Sequence, residues 1–335
     1  MKRRTKLLAS LAISVMPERI KPALYRAAFG ASIGKDVKIG FGSVVMADRM
    51  DLGEGTRIGA LSFIDARELI TGAHAKIGNL SRITVARAEI RSRATVDSRV
   101  EISGDTTDEA RGSIVLGRDS WVFPHCHVNV SRPVTLGKNV GVGGGSYIFT
   151  HGYWLSQLDG FPVKYAAVTI GDDTWLPWGC FVMPGVDIGK RVIVGARSVV
   201  NKSVPDDALV AGSPAKVIRE RSSVDVTIEQ KIAMLVEVTE EHARYEKTSF
   251  SRQGDVLSLD GIPLIALHRT SPAAPRTDVL NVIPGPFDAS SAQSAPCLFL
   301  DGYGSSSAAL FDPRIRAWLT FARRIGLRFY PWDET

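Results

Sequence analysis

The chain has 335 residues, 23% of them charged, with 41 Lys plus Arg against 35 Asp plus Glu and a formal net charge of +6. That length builds a large domain and a smaller one without disulfides or a structural metal, and so modest a basic excess suits phosphorylated or other anionic ligands without implying nucleic acid. Cys126, Cys180 and Cys297 are odd in number, widely separated and without CxxC spacing, which argues against a disulfide framework or thiolate metal site and makes a reducing cytoplasm the expected setting.

At the N-terminus Lys2, Arg3, Arg4 and Lys6 precede an apolar run from Leu7 to Val15. The run is far shorter than the ~20 residues a membrane-spanning helix needs, no small-residue cleavage site is clear, and Pro17 leads into a second stretch from Ile20 to Phe29. Residues 1–30 are therefore predicted as a helical cap on the next domain. The sharper reading is a peripheral contact of this basic, amphipathic segment with an acidic membrane, which would put the protein at the inner membrane face.

From Ile33 onward aliphatic residues recur at every sixth position, often followed by Gly and, four residues on, by a small residue. The cleanest run is Ile170, Leu176, Val182, Ile188, Val194 and Val200; shorter blocks are Ile33 and Ile39, Leu52 to Ile64, Leu116 to Val128, and Leu136 to Ile148. A period of six fits neither an α-helix nor an alternating hairpin, but it fits a prism in which each hexad is one flat face with its aliphatic side chain inward. Three faces close a coil of about eighteen residues, and coils stacked ~4.8 Å apart align the aliphatics in columns. The glycines are expected to serve turns of unusual φ/ψ. The early coils depart from a clean repeat around Thr71 to Ala75 and Asp105 to Gly112, where loops are expected to protrude. Arg82, Arg87, Arg91, Arg93 and Arg99 cluster there, read as a solvated face or as cations for an anionic acceptor.

Two phase slips interrupt the later coils. Residues around Ser131 to Pro133 bulge at a corner, and Phe149 to Val168, without hexad pattern, must be a loop expelled from the prism. Correcting for both, Ile170 stacks on Leu136 and Leu116, and Val182 on Ile148 and Val128. His151 lies where the loop leaves, followed by Tyr153 and Trp154, and the register places His125 and His127 one coil below. Cys126 and Cys180 occupy inward small-residue positions.

After Arg221 the hexads stop. Ile228 to Tyr245 has helical spacing, Val256 to Leu259, Leu264 to Leu267, Val279 to Val282 and Leu298 to Leu300 read as strands, and Pro313 to Ile325 as a helix. A Pro- and Ser-rich connection runs from Pro284 to Pro296, and Gly302-Tyr303-Gly304-Ser305 is too weak a glycine turn to read as a phosphate loop. The expected organisation is thus 1–30, a β-helix domain 31–221 with loop 149–168, and a small α/β extension 222–335.

The segments Val168 to Trp175, Met183 to Gly189, Gly195 to Val200 and Ala211-Gly212-Ser213-Pro214-Ala215-Lys216 resemble the C-terminal signature of the hexapeptide-repeat acetyltransferases, which include galactoside, maltose and serine O-acetyltransferases and enzymes that decorate surface polysaccharides. The resemblance implies a left-handed parallel β-helix, a homotrimer, and an acetyl-CoA site between adjacent prisms, with no metal. It implies that His151 is the general base, that His127, His125, Tyr153 and Trp154 meet a carbohydrate acceptor, and that Trp175, Gly195, Ala196, Ser213, Ala215, Lys216 and Arg219 meet the cofactor. Backbone N–H groups from Gly143 to Gly145 are candidate donors to the developing oxyanion. Two alternatives stay open: a zinc-dependent carbonic-anhydrase-like lyase using His125, His127 and His151, and a non-catalytic β-helix scaffold.

Overall fold

Aliphatic side chains six residues apart are buried together when short strands wind into a three-sided coil, and this is the architecture of residues 31–212 in the computed structural model. The structure describes residues 3–104, 112–268, 272, 279–283, 297–300 and 313–327, and the chain divides into two compact units, 1–223 and 224–335. In the first unit every coil contributes a strand to each of three parallel ladders. The first face starts at Ser32–Ile33, the second at Lys38–Ile39 and the third at the N-terminal half of Val44–Leu52. On the first, Leu116, Leu136 and Ile170 pair in sequence; on the second, Val122, Val142 and Leu176; on the third, Val128, Ile148 and Val182. All nine are at most 1% exposed, so each removes a whole aliphatic side chain from water, worth roughly 1.5–3 kcal/mol apiece.

The hexad glycines serve the expected purpose only in part: Gly42, Gly55, Gly145, Gly179 and Gly185 take left-handed turns, with φ from 65° to 76°. Gly117, Gly137, Gly171 and Gly189 have ordinary φ, and other left-handed turn positions are held by Asp36, Leu61, His74, Arg93, Asp119, Asn139, Asp173 and Arg191, with φ from 53° to 61°. What the glycines of ordinary φ provide is close approach between coils. A Cβ on Gly117 would lie 2.2 Å from the carbonyl oxygen of Gly137, and one on Gly171 would lie 2.7 Å from the carbonyl carbon of Gly189.

The early coils also differ from expectation. Val44–Leu52, Phe63–Thr71 and Arg82–Ile90 are nine-residue strands that turn the corner from the third face onto the first, and their pairing skips Asp48 and Arg67 at the bend. One residue is thereby added to each coil without any protrusion. Thr71 takes the place of an aliphatic in the first-face column, paired with Leu52 below and Ile90 above. Its hydroxyl is satisfied by the Thr56 hydroxyl at 2.8 Å and the Gly53 N–H at 3.1 Å, which is why a polar group survives there. The second expected protrusion, Asp105 to Gly112, falls outside the described residues except for Gly112.

Helices Arg3–Ser14 and Lys21–Phe29 close the open end of the first coil. Ser10 donates to the Val45 carbonyl at 2.9 Å and contacts the Tyr25 hydroxyl at 3.0 Å. The buried Lys21 ammonium donates to the carbonyls of Ser14 (2.7 Å) and Gly40 (2.6 Å), joining the cap to the coil. Leu8, Leu11 and Val15 remain exposed on the outer side. Among the described residues no helix is long and apolar enough to cross a membrane.

The second unit carries the helix Ile228–Glu246, started by a capping box between Thr227 and Gln230, and a five-stranded sheet in sequential order. Strands Val256–Leu259, Ile262–Leu267, Leu280–Ile283 and Cys297–Phe299 fall where alternation predicts, with the last three parallel. Phe250–Gln253, polar and exposed, was not legible and pairs antiparallel with Val256–Leu259. Helix Pro313–Arg324 buries Trp318, whose indole N–H donates to Thr239 at 3.1 Å. The Pro284 to Pro296 connection and Gly302 to Ser305 lie outside the described residues.

Candidate active site

The expelled segment leaves the prism at the corner between the third and first faces. Phe149 is still part of the coil, its N–H donating to the Val182 carbonyl at 2.9 Å. His151–Gly152 then pairs antiparallel with Lys164–Tyr165, so the excursion is a hairpin with a 3-10 turn at Gln157–Asp159. His151 sits at its base, half-buried, with its ring 5.6 Å from Tyr153 and stacked 5.8 Å from Tyr165. Arg132 lies 4.7 Å over the Tyr165 ring.

A residue that sequence reasoning missed orients this histidine. Asn129, 7% exposed, ends the third-face strand below. Its Oδ1 accepts from the Ser131 N–H at 3.2 Å and from the Thr150 hydroxyl at 2.8 Å, and lies 2.9 Å from His151 Nδ1. Because the Ser131 backbone can only donate, the amide oxygen is assigned to that side, and the histidine nitrogen facing an oxygen acceptor must carry its proton on Nδ1. Nε2 is then left with a lone pair. Ser131 Oγ lies 3.4 Å from Nδ1 and supplements the contact. Asn129 stands two residues before the corner bulge, a place where a turn-forming asparagine is ordinary, and only the coil register reveals that it lies beneath His151.

His127 is on the same face and is separated from His151 by Phe149, whose ring is 5.5 Å from His127 and 6.0 Å from His151. Tyr147, Phe149 and Phe181 continue the aromatic slab, Phe149 and Phe181 being almost parallel at 5.3 Å. His127 Nδ1 is 3.5 Å from Glu101. His125 lies at the other corner of this face, in a left-handed turn at φ 62°; among the described contacts none joins it to His127 or His151, and those two are linked only through Phe149. Among the described residues no three His, Cys, Asp or Glu side chains are grouped to hold a metal ion. Tyr153 packs on His151 and Tyr165, whereas Trp154 is 93% exposed.

The other predicted residues lie elsewhere on the prism, and they lie together. Trp175 is on the second face, its ring filling the space over Gly141, and pairs with Ile193 above. Gly195 follows that ladder, with its N–H donating to Val210 at 2.6 Å and its α-carbon against Ala211; Ala196 is its neighbour. The hairpin Leu209–Gly212 with Ala215–Arg219 extends this face upward and carries Ser213, Ala215, Lys216 and Arg219. The oxyanion expectation for Gly143 to Gly145 needs correction at two of its three positions: the Gly143 N–H donates to the Leu176 carbonyl at 2.6 Å and the Gly145 N–H to the Pro124 carbonyl at 3.1 Å. Ladder formation has consumed both donors.

The arginines of the early coils are largely engaged. Arg87 binds Glu68 and Glu89 at 2.9 Å each, Arg91 binds Glu89 at 2.9 Å and Arg93 binds Asp119 at 2.8 Å. Cys126 and Cys180 are buried in the column region, and burial pushes the Cys126 thiol up to about 11. A neutral, enclosed thiol is a poor nucleophile. Iodoacetamide at pH 8 is therefore expected to leave Cys126 and Cys180 unmodified in the native protein and to label both after denaturation, read by intact mass.

No protein-family model matches the chain. By sequence it is similar to curated acetyltransferases. It is 35% identical over 108 residues to the provisionally named colanic acid biosynthesis acetyltransferase WcaF of Escherichia coli K12, covering 32% of this chain and 59% of that one. It is 32% identical over 121 residues to the provisionally named lipopolysaccharide biosynthesis O-acetyl transferase WbbJ of the same strain, covering 33% and 62%. The chain thus spans about three-fifths of the length of these curated relatives. Among solved structures, the polysialic acid O-acetyltransferase OatWY aligns at 18% identity over 59% of this chain and 90% of that one, with a TM-score of 0.39.

Proposed function

We propose that the protein is an acetyl-CoA-dependent O-acetyltransferase whose acceptor is a carbohydrate hydroxyl, with His151 as general base. The observation that carries this reading is the Asn129–His151 contact at 2.9 Å, which holds Nδ1 and leaves Nε2 as an acceptor at the base of an exposed hairpin. A sugar hydroxyl is a weak nucleophile at neutral pH, and imidazole is the side chain suited to take its proton and pass one on. In the proposed step Nε2 removes the hydroxyl proton as the oxygen attacks the thioester carbonyl. The C–S bond then breaks, the acetyl ester forms, and the proton returns to the leaving thiolate. No acyl-enzyme is required when both substrates are held together.

The cofactor residues are proposed to be Trp175, Gly195, Ala196, Ser213, Ala215, Lys216 and Arg219. Within one chain no described contact joins them to His151, which supports a site completed by a second copy in a homotrimer. The hairpin tip supports the same reading, because Trp154 and Leu158 are 93% and 99% exposed and large apolar side chains so displayed are usually covered by a partner. His127 and Tyr153 remain acceptor ligands in this proposal; His125 and Trp154 are left to contacts with a neighbouring copy. We place its action in the cytoplasm at the membrane face, supported by the exposed Leu8, Leu11 and Val15 beside Arg4.

A thiol-release assay with acetyl-CoA against sugars and nucleotide sugars tests the activity. Asn129→Ala is expected to lower kcat about tenfold or more with little change in the KM for acetyl-CoA, since the imidazole loses the partner that fixes its tautomer and orientation. Unchanged kcat would remove Asn129 from this role.

A further inference from the structure

The lower coils of the second face carry a feature that the reaction as proposed does not use. Lys38, Arg57 and Lys76 are consecutive partners in the parallel ladder, and all three are exposed. Ladder neighbours stand ~4.8 Å apart, so three like charges are stacked in one column, an arrangement that costs stability unless an anion offsets it. No hydrogen bond or ion pair joins the side chain of any of the three to another described residue. This contrasts with Arg87, Arg91 and Arg93, which carry carboxylate partners.

These cations line a groove of about 500 Å³ whose floor includes Gly40, Gly59 and Gly78. It contains two carboxylates, Glu18 toward the helical cap and Asp97 at the upper end. There Trp121, 43% exposed, is stacked on Phe123 at 5.0 Å and donates its indole N–H to Asp97 Oδ2 at 3.0 Å. A tryptophan face beside a carboxylate suits a sugar ring, the indole covering its C–H face and the carboxylate accepting its hydroxyl protons. A row of ammonium and guanidinium groups suits phosphate.

We infer that this groove binds a glycosyl diphosphate, with the diphosphate along Lys38, Arg57 and Lys76 and the adjoining sugar on Trp121 and Asp97. The inference deepens the acetyltransferase reading by naming the class of its acceptor, and in that respect rests on it. The diphosphate could come from a nucleotide sugar or from a polyprenyl-linked sugar. Both present the same group to the column.

Equilibrium binding separates this proposal from the catalytic one, because it needs no acetyl transfer. Titration of the full chain at low salt with inorganic pyrophosphate, a uridine diphosphate hexose, and a polyprenyl diphosphate hexose in detergent micelles is expected to show binding of the first and of at least one glycosyl form. Arg57→Gln is expected to weaken every bound probe about tenfold, the loss of one charge-assisted contact. Trp121→Ala is expected to weaken the glycosyl probes while sparing pyrophosphate. The triple variant Lys38→Gln, Arg57→Gln, Lys76→Gln is expected to melt no lower than wild type, since mutual repulsion is removed. Pyrophosphate binding unaltered by the triple variant would overturn the proposal, as would a fall in its melting temperature, which would assign the cations a structural role. Binding as described without thiol release from acetyl-CoA would leave the groove assigned and defeat the acetyltransferase reading instead.

Discussion

Replacement of His151 by alanine is expected to lower kcat for acetyl transfer by about a thousandfold, within the 10²–10⁴ range that a positioned general base supplies, equivalent to about 4 kcal/mol of barrier. The reason is specific to one atom. With Nδ1 committed to Asn129 Oδ1 at 2.9 Å, Nε2 is the proposed proton acceptor that the substitution removes, and neither the hairpin pairing of residue 151 with Tyr165 nor the ladder below depends on the ring. KM for acetyl-CoA should change little, because the residues proposed to hold it lie on another face. Side-by-side steady-state kinetics with circular dichroism of both proteins decide the matter. Activity within threefold of wild type, in a folded variant, would sink the catalytic role.

The second large effect concerns stability. Gly117→Ala should destabilise the β-helix unit by roughly 3 kcal/mol, the upper part of the usual cost of overpacking, because the added Cβ would meet the Gly137 carbonyl oxygen at 2.2 Å and its carbon at 2.3 Å. Those atoms are backbone within the ladder, where Gly117 N–H donates to Leu136 at 2.8 Å, and they cannot withdraw without opening the coil. Gly152→Ala is the comparison, since nothing lies within 4 Å of the position its Cβ would occupy. Urea melts should separate the two variants clearly. Equal midpoints would mean that the coils can spread, and that close approach is not what selects glycine.

The columns were legible because burial in a prism imposes a strict period. Ile170 over Leu136 and Val182 over Ile148 were read correctly across the long expelled segment, and both pairs are in register. Hexad glycines were visible, but only those in left-handed turns, such as Gly55 and Gly179, serve the expected purpose. Spacing marks where glycine recurs, whereas the backbone of the adjacent coil decides why, and the left-handed turns also tolerate Leu61, His74 and Arg93. Thr71 escaped because a column tolerates a hydroxyl when a second one, from Thr56, meets it. Asn129 was missed for a similar reason. Its function depends on a partner 22 residues onward, and no local pattern distinguishes it from a turn-forming asparagine. The stacked cations were equally hidden in the linear chain, where nineteen-residue spacing does not register as a cluster.

The bulge between Asn129 and Val134 and the hairpin beginning at His151 interrupt successive windings along the same edge of the prism, the passage from its third side to its first. That edge therefore works like a hinge line on which appendages can be exchanged, because the two flanking ladders resume their pairing whatever length is spliced between them. Segments can be exchanged there while the stacked interior that sets folding stays untouched.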